Sequence, residues 1–219
     1  SLRARPIFYV KGKVDPRELS DYEGLADPRW KNRICIRSSN NIYNQSLVAS
    51  LIAANGEADV EQWAKGLVTN MARPPKGGDR DQIKAAAAGQ CDIAVANTYY
   101  FAAMLHAEKD PVQQTAASKM EIFWPNQSSR GTHVNVSGAA VTAASQHRDN
   151  AIRLIEYLAS AEAQEWYAQT NHEYPVRPGT PVSATLKNWG EFKADTLNLS
   201  VLGENNAEAL RLMDRAGWK

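Results

Sequence analysis

The residues best placed for chemistry in this 219-residue sequence are three tyrosines. Tyr99 and Tyr100 are adjacent in Asn97-Thr98-Tyr99-Tyr100-Phe101-Ala102, directly after the apolar run Cys91-Asp92-Ile93-Ala94-Val95-Ala96, and Tyr43 follows the short run Arg33-Ile34-Cys35-Ile36-Arg37. Cys35 and Cys91 each precede a tyrosine by eight residues, Tyr43 and Tyr99. Two strand-to-helix units of matching length, lying as parallel neighbours, would bring the cysteines together and the tyrosines together. The carboxyl ends of strands in open α/β sheets are where ligands bind, so three phenols are expected to share one cleft. A phenol, with an ordinary pKa of about 10, loses its proton at neutral pH only beside strong positive charge, and the resulting phenolate is a hard oxygen donor. A trivalent cation lowers that pKa most, which makes ferric iron the natural partner. Zinc would recruit cysteine or histidine, and calcium would recruit carboxylates and carbonyls.

Other polar residues admit two readings each. Ser38, Ser39 and Asn40 precede a predicted helix, where free N–H groups and the helix dipole suit a carbonate or phosphate anion, or where they simply cap the helix. Asn97 either orients such an anion or caps the helix that carries the tyrosine pair. Arg37 and Arg80 either neutralise an anion or are solvated. Cys35 and Cys91 are read as a disulfide between adjacent strands, suited to an oxidising compartment, with buried free thiols as the alternative. Tyr9, Tyr22, Tyr157, Tyr167 and Tyr174 are expected to be packing residues.

Enzymatic chemistry finds little support. His106, His133, His147 and His172 are scattered, with His106 expected to face outward and His133 to be a hydrogen-bonded structural residue. Glu121 and Glu173 are isolated, so paired-carboxylate catalysis has no pair, and neither a nucleophile signature nor a phosphate loop is present. The competing readings are a binding protein for a small organic solute or anion and a hydrolase or transferase with a tyrosine nucleophile.

The elements that must position these groups follow from periodicity. Strand-like and helix-like stretches alternate as in βαβ units. Strands are predicted at PIFYVK, RICIR, CDIAVAN, KMEIFWP and THVNVSGAAV. Helices are predicted after Ser38 to Asn40, over ADVEQWAKGLVTNMA, over DRDQIKAAAAG with Asp79 and Gln82 as a capping box, over TYYFAAMLHAE, over RDNAIRLIEYLASAEAQEWYAQT as a long or broken pair, and over NAEALRLMDRAGW. With 43% hydrophobic residues the chain can bury one substantial core with a smaller neighbour. The formal charge of +1 comes from interspersed residues, which gives no footprint for nucleic acid. No apolar run approaches the roughly 20 residues of a membrane span, so no membrane insertion is expected. The opening Ser1-Leu2-Arg3 shows no signal-peptide pattern and, without a methionine, is compatible with upstream processing or truncation.

The stretches RICIRSSNNIYNQSLVASLI, GGDRDQIKAAAAGQCDIAVANTYY, GTHVNVSGAAV and WGEFKADTLNLS resemble the periplasmic ferric-ion-binding proteins of bacterial iron ABC transporters, over essentially the whole chain. The NTYY pair with its upstream tyrosine is the most specific part. The resemblance implies an α/β periplasmic-binding-protein lobe with a mixed, mostly parallel sheet flanked by helices, plus part of a second lobe. Residues 1–125 and 180–219 would form the tyrosine-bearing lobe, and 126–179 would be the remnant of the other. It implies no enzyme but a periplasmic receptor that holds Fe³⁺ through Tyr43, Tyr99 and Tyr100. Ser38, Ser39, Asn40 and Asn97 would stand near a synergistic carbonate or phosphate, and an ABC permease would be the partner. Family members normally begin with a first-lobe segment supplying further ligands, and this sequence starts after it, which leaves coordination positions for water or an anion.

Overall fold

A computed structural model describes residues 1–219. In chain order its elements are β1 (Leu2–Ala4), β2 (Ile7–Val10), β3 (Ile34–Cys35), α1 (Ile42–Asn55), α2 (Glu57–Asn70), α3 (Asp79–Ala87), β4 (Ile93–Val95), α4 (Thr98–Leu105), α5 (Pro111–Ser118), β5 (Met120–Phe123), β6 (Val134–Val136), α6 (Arg148–Leu158), α7 (Ala161–Thr170), α8 (Ala184–Asn188), α9 (Ser200–Glu204) and α10 (Asn206–Arg215). Three short 3₁₀ turns lie between β2 and β3.

The main sheet has the order β3-β4-β2-β5. β3 and β4 are parallel neighbours, while β2 runs antiparallel to both β4 and β5. Three of the four strands therefore point one way, and the sheet is mixed, as expected. The first predicted strand, Ile7–Val10, is the reversed one. It enters from β1 through Arg5 and Pro6 rather than through a helical crossover, so no βαβ geometry constrains its direction. β1, which periodicity did not reveal, pairs with β6 in a separate two-stranded antiparallel sheet, Leu2 facing Val136 and Ala4 facing Val134.

Each strand of the main sheet sends alternate residues to opposite faces, and each face has its own core. Ile7, Tyr9, Ile34, Ile93 and Val95 join the larger cluster under α1, α2 and α10. Phe8, Cys35 and Ala94 join the smaller one with Ile83, Phe101, Met104 and Ala117 of α3, α4 and α5. α2 buries Val60, Trp63, Ala64 and Leu67, the stripe that its 3.6-residue period predicts. α1 is buried over most of its circumference, Leu47 to Ile52, because α2, α9 and α10 all pack on it. The predicted helical pair near the end of the chain is broken between Leu158 and Ala161, with the Ser160 side chain capping α7.

Two cap assignments shift. The α1 cap is Asn41, whose side chain accepts from the Tyr43 N–H, rather than a residue in 38–40. The capping box of α3 joins Gly78 to Asp81, the Asp81 carboxylate accepting the Gly78 N–H at 2.8 Å, instead of Asp79 to Gln82. One glycine is demanded by close approach. Gly131 has φ of 101°, and a Cβ there would stand 2.6 Å from the Lys193 carbonyl oxygen, beside the Thr132–Ala194 bridge.

Candidate metal centre

Tyr43 and Tyr99 are both second residues of helices, α1 after β3 and α4 after β4, and β3 and β4 are parallel neighbours. In a helix the Cα–Cβ bonds tilt toward the N-terminus, so side chains in the first turn project past the helix start, over the strand ends. That is why Tyr99 and Tyr100 can share the cleft although they are successive. Tyr43 Oη lies 3.1 Å from Tyr99 Oη, and the Tyr99 and Tyr100 rings are 4.1 Å apart with planes 32° apart. All three residues are half-buried.

The matched eight-residue spacing is not the cause of this convergence. In the β3–β4 register Cys35 faces Ala94, not Cys91, which lies before β4 begins. The loop from β3 to α1 takes six residues, 36–41, whereas β4 reaches α4 through Ala96 and Asn97 alone. The offset of the cysteines compensates for the unequal loops. Cys35 and Cys91 form a disulfide with Cα atoms 6.0 Å apart, buried in the smaller core.

Four arginines face the phenol rings. The Arg3 guanidinium stands 5.4 Å from the Tyr99 ring, Arg5 and Arg37 each 5.9 Å from that of Tyr43, and Arg80 5.7 Å from that of Tyr100. The opposing charge is Asp79, wholly buried, which pairs with Arg5 at 3.2 Å and with Arg37 at 3.4 Å. Burial, and then hydrogen bonding with Tyr100 and Tyr43, pushes the Tyr99 phenol well above the usual range. Without a cation the Tyr99 phenol therefore stays neutral. No group of three or more His, Cys, Asp and Glu side chains is placed to hold a metal, so hard phenol oxygens are the donor set this cleft offers.

The remaining predicted residues take varied positions. Ser38, Ser39 and Asn40 form the turn before α1. The Ser38 hydroxyl bonds Asn40, and the Asn44 side chain donates to the carbonyls of Arg37 and Ser38 at 2.8 and 3.1 Å. Asn97 occupies the N-cap position of α4 but makes no side-chain cap. It is fully buried and turned inward, accepting from Arg5 at 2.9 Å. His133 is buried between Ser46 and Asn135. His106 is exposed and stacks on His172 at 4.7 Å. Glu121 accepts from Tyr9 at 2.6 Å, and Glu173 pairs with Arg3 at 3.7 Å. Sequence reasoning missed Arg3, Arg5, Asn44 and Asp79. A lone charged residue reads as a solvated one, and the only available signal was Arg3 and Arg5 flanking an otherwise apolar start.

Comparison with known proteins agrees with this geometry. Residues 10–195 match the family model described as bacterial extracellular solute-binding protein. Iron uptake protein A1 of Synechocystis sp. is 52% identical over 99% of this chain, which spans 60% of that relative's length. The Trichodesmium protein solved in complex with iron and citrate ligands superposes with a TM-score of 0.96 at 54% identity, covering 100% of this chain and 69% of that one. The ferric binding protein from Campylobacter jejuni superposes with a TM-score of 0.96 at 38% identity, covering 100% and 69%. A family match across most of the chain, a fold shared throughout and phenols gathered at the strand ends lead to one conclusion: the chain belongs to the bacterial extracellular solute-binding protein family.

Proposed function

We propose that this chain binds ferric iron for uptake through a periplasmic ABC-transport route, with Tyr43, Tyr99 and Tyr100 as phenolate ligands. The observation that carries this reading is the 3.1 Å approach of Tyr43 Oη to Tyr99 Oη, with Tyr100 beside them. Two neutral phenols at that distance form one hydrogen bond, either donating to the other, and both oxygens can face one small cation when deprotonated. The names of the relatives, an iron uptake protein and ferric-binding proteins, support the same cargo. Iron acts here as cargo held by reversible chelation, and no reacting bond or nucleophile is invoked.

Three ligands leave positions open on a hard ion that prefers more oxygen donors. A synergistic anion fills them in this reading, approaching the turn of Ser38, Ser39 and Asn40, with Asn97 acting from behind through Arg5. Carbonate or phosphate would supply the missing anionic oxygens, and the citrate in the Trichodesmium complex adds a carboxylate to the class. The lobe division proposed is 1–125 with 180–219 against 126–179. The pairing of β1 with β6 ties the start of the larger set to the smaller one.

Ferric citrate titration tests the function directly. Wild-type protein is expected to develop the visible colour of phenolate-to-iron charge transfer, and Tyr99→Phe with Tyr100→Phe to lose it. A double variant as coloured as the wild type would remove these residues as ligands. A colourless wild type that instead protects a small organic anion would favour the solute-binding alternative.

A further inference from the structure

Alone among the arginines, Arg5 is fully buried, and it lies on the two-residue segment where the chain leaves the two-stranded sheet for the four-stranded one. Its backbone is held on both sides: the N–H donates to the His133 carbonyl at 3.0 Å, and the carbonyl accepts from Tyr22 Oη at 2.7 Å. Its guanidinium reaches three helix starts. Nη2 donates to Asn44 Oδ1 at 2.6 Å, one residue from Tyr43. Nη1 donates to Asn97 Oδ1 at 2.9 Å, two residues before Tyr99, and to Asp79 Oδ2 at 3.2 Å, the first residue of α3. The same Asp79 oxygen accepts the Asn97 N–H at 2.6 Å, closing the brace. Asn44, Asn97 and Asp79 are themselves buried, so water does not compete for these bonds.

We propose that Arg5 is a positioning residue for the tyrosine cluster: one buried guanidinium fixes the starts of α1 and α4 relative to each other, and thereby the distance from Tyr43 to Tyr99. The inference rests on reading those phenols as the ferric site. The strand pairing itself does not use this side chain, because β1 and β2 pair through their backbones. What a guanidinium supplies, and an ammonium cannot, is a planar fork that reaches acceptors on separate helices at once. Arg5 touches no cargo in this scheme and acts through Asn44, Asn97 and Asp79.

The full chain is tested as Arg5→Lys and as Arg5→Met with Asp79→Asn, the second removing both buried charges together so that neither is stranded. Each variant is first shown to be folded by circular dichroism and urea unfolding. Two readouts follow: the nuclear Overhauser contact between the Tyr43 and Tyr99 rings in iron-free protein, and the charge-transfer band with retention against citrate. We expect folded variants to lose the ring contact, to hold iron roughly 10- to 100-fold more weakly, and to show a shifted band at saturating iron. A merely structural role would lower stability and leave the band unchanged. Folded Arg5→Lys with an intact ring contact, an unmoved band and unchanged retention would overturn the proposal. Should Arg5→Lys not fold, the double variant decides by the same criteria. Should wild type take up no iron, the ferric reading falls, and the ring contact alone decides whether Arg5 positions the phenols.

Discussion

Burial gives individual side chains properties that their type alone does not. His133 is wholly enclosed, and burial, followed by repulsion from Arg5 and Arg130, lowers its pKa from 6.5 to about 3. Because the folded value is the lower one, the unfolded chain takes up the proton first as pH falls. The stabilising contribution of the neutral ring is complete above pH 6.5 and is lost on acidification toward pH 3. The urea midpoint is therefore expected to drop steeply between about pH 6 and 4, and His133→Gln, which cannot take the proton, to flatten that limb. Parallel pH profiles for the two proteins would contradict this. Among the ligand candidates, Tyr43→Phe is expected to weaken iron retention at least on the order of 100-fold, since losing a direct donor costs no less than losing an outer partner. Isothermal competition with citrate checks it. The phenols were legible in the sequence because the matched spacing suggested one cleft and the NTYY stretch carried the family resemblance. Arg5 and Asp79 were not, because their charge says nothing of burial until three helices enclose them.

Elements set the distances between those residues. The Cys35–Cys91 disulfide joins residues 56 apart, on the strand side of both tyrosine-bearing helices. A loop of that length corresponds to about 4 kcal/mol of chain entropy removed from the unfolded state, and measured losses commonly fall near 2–4 kcal/mol. Cys35→Ala with Cys91→Ala is expected to lower unfolding free energy by about that amount while the folded protein still binds iron, because the β3–β4 ladder and the Arg5 brace persist. Chemical denaturation with parallel iron titration measures both, and a folded double variant without iron binding would assign the bridge a role in the site. α2 presses Gly66 against the 3₁₀ turn Glu23–Ala26, so that an added Cβ would stand 2.8 Å from Ala26 Cβ and 3.0 Å from its carbonyl oxygen. Gly66→Ala should then destabilise by about 1–3 kcal/mol despite alanine's better helix propensity, as a lowered thermal midpoint would show. Helical periodicity located α2 and α10 well, since each buries a single stripe. It failed for β1, whose three residues are too few to show alternation, and it misplaced two caps by one residue because several polar residues compete for each position.

For the whole molecule the proposed ferric reading turns on how firmly an open cluster of phenols would retain iron. In that reading protons and ferric iron compete for the same oxygens, so acidification is expected to release iron progressively below neutral pH. Absorbance at the charge-transfer band during an acid titration follows it, and colour unchanged well below pH 7 would count against phenolate ligation. If the three phenols are its protein donors, the 219-residue chain is also expected to yield iron to citrate more readily than the longer Synechocystis relative, of which it spans 60%. Equal retention in a side-by-side challenge would mean that the three phenols and the anion hold iron as firmly as the longer relative does.

What the sequence determined by itself was local. It set which segments alternate every second residue and which every 3.6, where apolar runs end in tyrosines, and that a cysteine precedes each tyrosine unit. Those features depend on neighbours along the chain, and periodicity and capping report them directly. Tertiary structure alone decided that β2 runs against its neighbours, that unequal loops and an offset disulfide still bring Tyr43 to Tyr99, and that Arg5 is enclosed among Asn44, Asp79 and Asn97. The physical reason is that burial and cross-helix hydrogen bonding are properties of contacts between segments distant in sequence, and the identity of a charged residue carries no record of the groups that will surround it.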